Sequence, residues 1–319
     1  MRECAPASHR CYPVFTHVWI IVTVPASFKP ASIVLTIAVL IVAMFSFQIG
    51  AAVAKQLFPL VGAAGTTALR LGLSSIMLLA AWRPWRIRPS AREARMILVY
   101  GLSMGIMNLC FYESLNHIPL GIAVALEFTG PLGVAVATSR RVVDFVWIGL
   151  AAIGLVALLP LGFSAAAVDT VGVGYALAAG VCWAIYILSG QKAGSAHGGQ
   201  TTALGTVIAA MVIVPIGFAN VGTALLSPGL LPLGCAVAVL SSALPYSLEM
   251  YAMTRLPTRT FGVLMSGDPA LAALSGLVFL GEKLTVIQWG AVACIVFASA
   301  GIAATSRAAP QAAPQPLVN

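Results

Sequence analysis

The chain is a succession of apolar runs, each about 20 residues long and set apart by short polar breaks, and that length is what a helix needs to cross the hydrocarbon of a bilayer. Lipid offers a backbone no hydrogen-bond partners, so the spanning segments must be helices or the strands of a closed barrel. Barrel strands would show runs of about ten residues. The runs here therefore predict an all-α polytopic membrane protein, and the composition agrees: 60% of the 319 residues are hydrophobic and 8% are charged.

Ten spans are expected, near residues 33–54, 62–82, 96–115, 119–138, 145–161, 171–189, 201–219, 230–250, 259–279 and 285–305. Most connections are very short, which makes neighbouring helices antiparallel partners. With a cytoplasmic N-terminus the inner segments collect Lys29, Arg83, Arg86, Arg88, Arg92, Arg95, Arg140, Arg141, Lys192, Arg255, Arg259 and Arg307, whereas the outer loops hold Lys55 and Lys283. Lys and Arg accumulate on the cytoplasmic side, so this asymmetry predicts an even number of spans with both termini cytoplasmic. Residues 1–30 read as a cytoplasmic N-terminal tail or the result of an upstream start, and 306–319, rich in Pro, Ala and Gln, as a disordered tail.

The formal charge of +8 does not point to nucleic acid, because the basic residues sit in loops between apolar runs and are not gathered on one soluble face. Cys110, Cys182, Cys235 and Cys294 lie inside apolar runs, Cys4 and Cys11 in the tail, without CxxC or Cys/His metal spacing. No metal or other cofactor is implied.

An internal repeat organises the chain. Ile118-Pro119 through Gly130-Pro131 lines up with Leu256-Pro257 through Asp268-Pro269 at an offset of 138 positions; Leu126 falls on Leu264, and Asp144 on Glu282, without a gap. Repeats of five helices, an odd number, must enter the membrane in opposite senses. The expected architecture is two inverted five-helix repeats, 31–161 and 170–305, around a central cavity. Secondary transporters built this way place substrate near the bilayer midplane, where helices interrupted by Pro or Gly expose backbone groups. Pro131 and Pro269 are the expected mid-helix kinks, and small residues four apart, Gly101 with Gly105 and Ala176 with Gly180, predict close helix contacts.

Four stretches carry a family resemblance: PLGIAVALEFTGPLGVAVATSRRVVDFVW (119–147), GVCWAIYILSGQKAG (180–194), ALPYSLEMYAMTRLPTRTFGVLMSGDPALAALSG (243–276) and FPLVGAAGTTALRLGL (58–73). Together they resemble the inner-membrane threonine and homoserine exporters of the drug/metabolite transporter superfamily, over roughly residues 33–304. The resemblance implies two EamA-type five-helix repeats and export of small amino acids across the bacterial cytoplasmic membrane. It departs from the family pattern at Asp268, where Glu usually precedes the proline, and at Glu113, where an apolar residue is expected.

Ionisable groups at membrane depth are costly and need a partner, a cavity or a function. Arg70, Glu127 and Asp268 lie deepest; Glu113 and Glu249 lie nearer helix ends. One reading of Arg70 is a salt bridge to Glu127 or Asp268 that locks helices together. The other is recognition of a zwitterion, with Arg70 holding the substrate carboxylate, Glu127 its ammonium, and Asp268 beside a kinked backbone. Glu127 or Asp268 would exchange the coupling proton of an antiporter. Asn108, Tyr112, Trp183, Tyr186, Tyr246 and Glu249 are further candidates to line the cavity, although aromatic residues also serve packing and the interfacial belt.

No HExxH or GxSxG motif is present, which argues against an intramembrane enzyme, and no GxxxxGK[ST] loop is present, so energy must come from gradients. The expected function is proton-coupled export of threonine and homoserine with alternating access; export of another small metabolite or a drug is the alternative. The implied partners are the amino-acid substrate and the lipid bilayer, with the working unit a monomer or homodimer.

Overall fold

Every described element is helical, as a lipid solvent demands. The computed structural model describes residues 33–138, 142–158, 169–253, 255, 264–265 and 267–305. The two expected tails, Arg140 and Arg141, the Leu256-Pro257 half of the repeat, Arg259 and the side chain of Asp144 lie outside the described residues.

The helices are α1 (Ile33–Lys55), α2 (Phe58–Trp82), α3 (Ala91–Ser114), α4 (Leu120–Glu127), α5 (Thr129–Thr138), α6 (Val142–Leu158), α7 (Thr170–His197), α8 (Gly199–Val221), α9 (Leu231–Ala238), α10 (Leu244–Met253), α11 (Asp268–Leu280) and α12 (Val286–Thr305). Two pairs are single spans broken in the middle. The helices α4 and α5 meet at Phe128, and α9 runs into α10 through a π turn at Val239–Ala243. Among the described residues six helices are long and apolar enough to cross a membrane, and four shorter apolar helices accompany them. The chain is a multi-pass membrane protein.

The helix ends obey local chemistry. Ser90 and Glu93 form a capping box at the start of α3: Ser90 Oγ accepts from the Glu93 N–H, and Glu93 Oε2 accepts from the Ser90 N–H at 2.7 Å. Asp169 caps α7 by accepting from the Val171 N–H at 2.8 Å. Arg83 ends α2 in the left-handed region at φ 48°.

Pro131 and Pro269 differ from the kinks expected of them. Pro131 is the third residue of α5 and Pro269 the second of α11. Each belongs to the first turn of a new helical segment, because a ring without an N–H fits where no intrahelical acceptor is needed and disrupts a helix interior.

The packing pairs α2 with α8, α3 with α7, α6 with α12, α4 with α11, and α1 with the α9–α10 span. The helix α7 also rests on α4 and α5, and α1 on α11. Without a hydrophobic drive between helices in lipid, such contacts depend on close van der Waals fit and small residues. The expected small-residue contacts are present. A Cβ at Gly101 would meet the Gly205 carbonyl at 2.7 Å, one at Gly180 would meet the Glu127 carbonyl at 2.7 Å, and one at Gly130 would overlap the Gly180 carbonyl.

Candidate functional site

A cavity with about 560 Å³ of empty space, including its open mouth, lies where helices from both halves of the chain converge. Helix α1 contributes Leu40, Ala43, Met44 and Phe47, spaced three and four apart along one face. Met107 of α3, Val124 and Glu127 of α4, Trp183 and Tyr186 of α7, and Pro245, Tyr246 and Glu249 of α10 complete the wall with Met265 and Asp268.

Local breaks aim these side chains. Glu127 is the last residue of α4, and the break at Phe128 lets α7 come close against that backbone through Gly180. Trp183, one turn further along α7, packs edge-on against Phe128 at 5.5 Å. On the other wall, Pro245 has no N–H to give the Ser241 carbonyl, and the π turn before it accommodates the missing bond. Tyr246 and Glu249 follow directly on the same helix. Asp268 opens α11.

Six of the nine residues singled out as substrate contacts line this cavity: Glu127, Trp183, Tyr186, Tyr246, Glu249 and Asp268. Glu249 is therefore part of the wall, although its place near a helix end had suggested the interface. Arg70, Asn108 and Tyr112 form a layer behind Tyr246. Arg70 is fully buried. Its Nε donates to Ser242 Oγ at 2.6 Å, and its Nη2 donates to Asn108 Oδ1 at 2.5 Å and to the Tyr246 hydroxyl at 3.0 Å. The guanidinium lies 5.3 Å from the Phe47 ring centroid and 5.0 Å from that of Tyr112, so aromatic faces supply further stabilisation of the charge.

The salt bridge considered for Arg70 is not what holds it. Among the described residues the ion pairs join Lys55 to Glu282, His117 to Asp169 and His197 to Glu93, and none includes Arg70, Glu127, Glu249 or Asp268. Arg70 instead fastens α2, α3 and the π turn through neutral acceptors. The Asn108 amide is oriented by its other end, since Nδ2 donates to the Met104 carbonyl at 2.7 Å. The Tyr246 oxygen accepts from both Arg70 and Asn108 Nδ2, the latter at 3.0 Å. Its own proton remains for Asn108 Oδ1 at 3.2 Å or for a ligand in the cavity.

Tyr186 is held by Tyr100, whose hydroxyl donates to it at 3.2 Å while the rings stack at 4.7 Å. The charge balance of the wall is one-sided: Glu127, Glu249 and Asp268 line it, and the lining includes no Lys or Arg. Such a cavity is complementary to a cationic group, and an ammonium is the smallest organic one. Among the described residues no cluster of three or more His, Cys, Asp or Glu is arranged to hold a metal ion.

Gln48, being uncharged, was not among the residues expected from the sequence. It is fully buried on α1, one turn beyond Met44 and beside Phe47. A lone amide inside an apolar run was the signal available for finding it.

Comparison with known proteins places these features in a family. The EamA-like transporter family model matches residues 170–304. The threonine/homoserine exporter RhtA of Salmonella typhimurium (strain SL1344) is 57% identical over 287 residues, covering 90% of this chain and 97% of the relative. The threonine/homoserine exporter RhtA of Escherichia coli (strain K12) is 57% identical over 283 residues, covering 89% of this chain and 96% of its own. A solved crystal structure shares the fold at 20% identity, with a TM-score of 0.56 over 86% of this chain and 98% of that one. An acid-lined cavity between helices of both halves, in a chain this similar along its length, has one consistent assignment: the protein belongs to the EamA-like transporter family, in the same family as the RhtA exporters.

Proposed function

We propose that the chain exports small amino acids, threonine and homoserine among them, from the cytoplasm across the bacterial inner membrane. The observation that carries the proposal is 57% identity, along nearly the whole chain, to proteins named threonine/homoserine exporters. The cavity adds chemical sense. Glu127, Glu249 and Asp268 offer acceptors for an ammonium, and Tyr246 offers a hydroxyl donor to a carboxylate oxygen. Arg70 acts on that carboxylate through Tyr246, to which it donates, so its positive field reaches the substrate without direct contact.

Alternating access would come from two inverted five-helix repeats. The contact pattern supports this reading. Exchanging each helix of the first half for its counterpart in the second maps the α3–α7 pair onto the pair of the α9–α10 span with α1, maps the α4–α7 pair onto α11–α1, and returns α2–α8, α6–α12 and α4–α11 to themselves. Both termini are then cytoplasmic, in line with the loop arginines. Export would be driven by proton entry, with Glu127 or Asp268 carrying the proton in one direction and the ammonium in the other. Such a carrier works as a monomer or as a homodimer of complete cavities.

The test is growth of a threonine-sensitive bacterial host on inhibitory threonine or homoserine, with and without the chain, followed by accumulation of labelled threonine. Resistance with lower accumulation, abolished by an uncoupler, is the expected result. Unchanged sensitivity with the protein present in the membrane would overturn the assignment.

A further inference from the structure

Three polar atoms without a close partner belong to Gln48 and to Asp268, the latter a residue of the cavity wall. Gln48 has no exposed surface, and neither its Oε1 nor its Nε2 has a hydrogen-bond partner within 3.5 Å. Asp268, also buried, has no partner for Oδ1. The Gln48 amide is nonetheless near enough to the Asp268 carboxyl to interact with it as a hydrogen-bond partner, and α1 packs against α11, which Asp268 opens. Gln48 follows Met44 by four positions and so continues the face of α1 that forms the cavity wall. Nearby, Ser46 Oγ donates to the Leu240 carbonyl at 2.7 Å and Asn108 is engaged by Arg70 and Met104, whereas Arg70 Nη1 and the Tyr112 hydroxyl, in the layer behind Tyr246, also lack a close hydrogen-bond partner.

A buried amide without a close partner at either end is costly, and a ligand that supplies both a donor and an acceptor removes that cost. A hydroxyl does so. We propose that Gln48 is a specificity-determining residue that reads the side-chain hydroxyl of the exported amino acid, beside the Asp268 carboxyl. The inference rests on the reading of the chain as an amino-acid exporter and adds the group that selects among amino acids. A methyl in place of the hydroxyl leaves Gln48 Oε1 and Nε2 unpaired in the loaded carrier, which is the condition under which a polar site rejects an isostere strongly. Threonine and valine differ in just this way.

The full chain is expressed in a host lacking its own exporters, and efflux of labelled threonine and labelled valine is followed for wild type, Gln48→Leu and Gln48→Met, with membrane levels matched. Wild type is expected to favour threonine by at least about tenfold. Both variants are expected to bring the ratio near one, with threonine efflux falling and valine efflux held or raised. An unchanged ratio in the variants, an equal loss of both substrates, or a wild type without preference would overturn the role of Gln48 while threonine export itself stands. A wild type that moves no threonine would overturn the exporter reading, and this inference with it.

Discussion

Lys55 and Glu282, 227 positions apart, meet at 2.6 Å where the end of α1, the start of α4 and the end of α11 converge. The same carboxylate accepts from the Leu120 N–H at 2.8 Å through its other oxygen, so one acid ties the first half of the chain to the second and caps α4. Glu282→Ala removes both contacts and leaves Lys55 partly buried without a partner. The expected loss is about 2–3 kcal/mol, read as a lower thermal midpoint in detergent. Glu282→Gln, which can still accept from Leu120, should lose less; equal losses in the two would show that the helix cap contributes nothing.

Arg70 is held by the shape of its fork as much as by its charge. Lysine keeps the charge but cannot reach Ser242, Asn108 and Tyr246 together. Arg70→Lys is therefore expected to destabilise the protein by about 3 kcal/mol and to cut threonine efflux at least tenfold, since Tyr246 loses its orientation. Wild-type stability and efflux in this variant would contradict the network described here.

The acids of the wall should be needed for transport and not for folding. Glu127→Gln and Asp268→Asn preserve volume and polar atoms while removing the charge that, in the proposed mechanism, meets an ammonium and carries a proton. Each should lower efflux of labelled threonine by at least tenfold with protein still in the membrane. Full activity in both would remove these acids from the mechanism.

Outside the membrane segments, Asp169 gives a pH prediction. The backbone N–H of Val171, and then the His117 side chain at 2.7 Å, hold its carboxyl below the usual carboxylate range. A depressed acid contributes stability that is present above its unfolded value and is lost as pH falls through the folded one. The thermal midpoint should therefore fall more steeply below about pH 4 in wild type than in Asp169→Asn, because asparagine still caps α7 but does not titrate. Identical acid profiles would show that the cap does not respond to protonation.

Much of the fold was legible because lipid leaves a chain few options. A run of about 20 apolar residues has one backbone solution, and small residues four apart marked contacts such as Gly180 against Glu127. The deep carboxylates were also legible, since their insertion cost singles them out: Glu127 and Asp268 both line the cavity. Arg70 was found for the same reason, but its partners were not. Ser242 and Tyr246 come from 172 and 176 positions away, and no periodicity in one helix encodes the face of another. Gln48 was not legible because an amide carries no charge, and its burial costs less than that of an ion. Glu282 emerged from the repeat as a counterpart of Asp144, yet its pairing with Lys55 depends on three chain segments meeting at one point.

The π turn at Val239–Ala243 sets the angular phase of everything after it on that span. One residue more per turn there rotates the following helix by about 100° relative to an unbroken α-helix. Tyr246 and Glu249 owe their direction into the cavity to that offset. Removing a single residue from Val239–Ala243 would let the helix run straight and swing the phenol and the acid toward neighbours that have no use for them. The length of five residues outside the cavity lining thus fixes the chemistry of its wall.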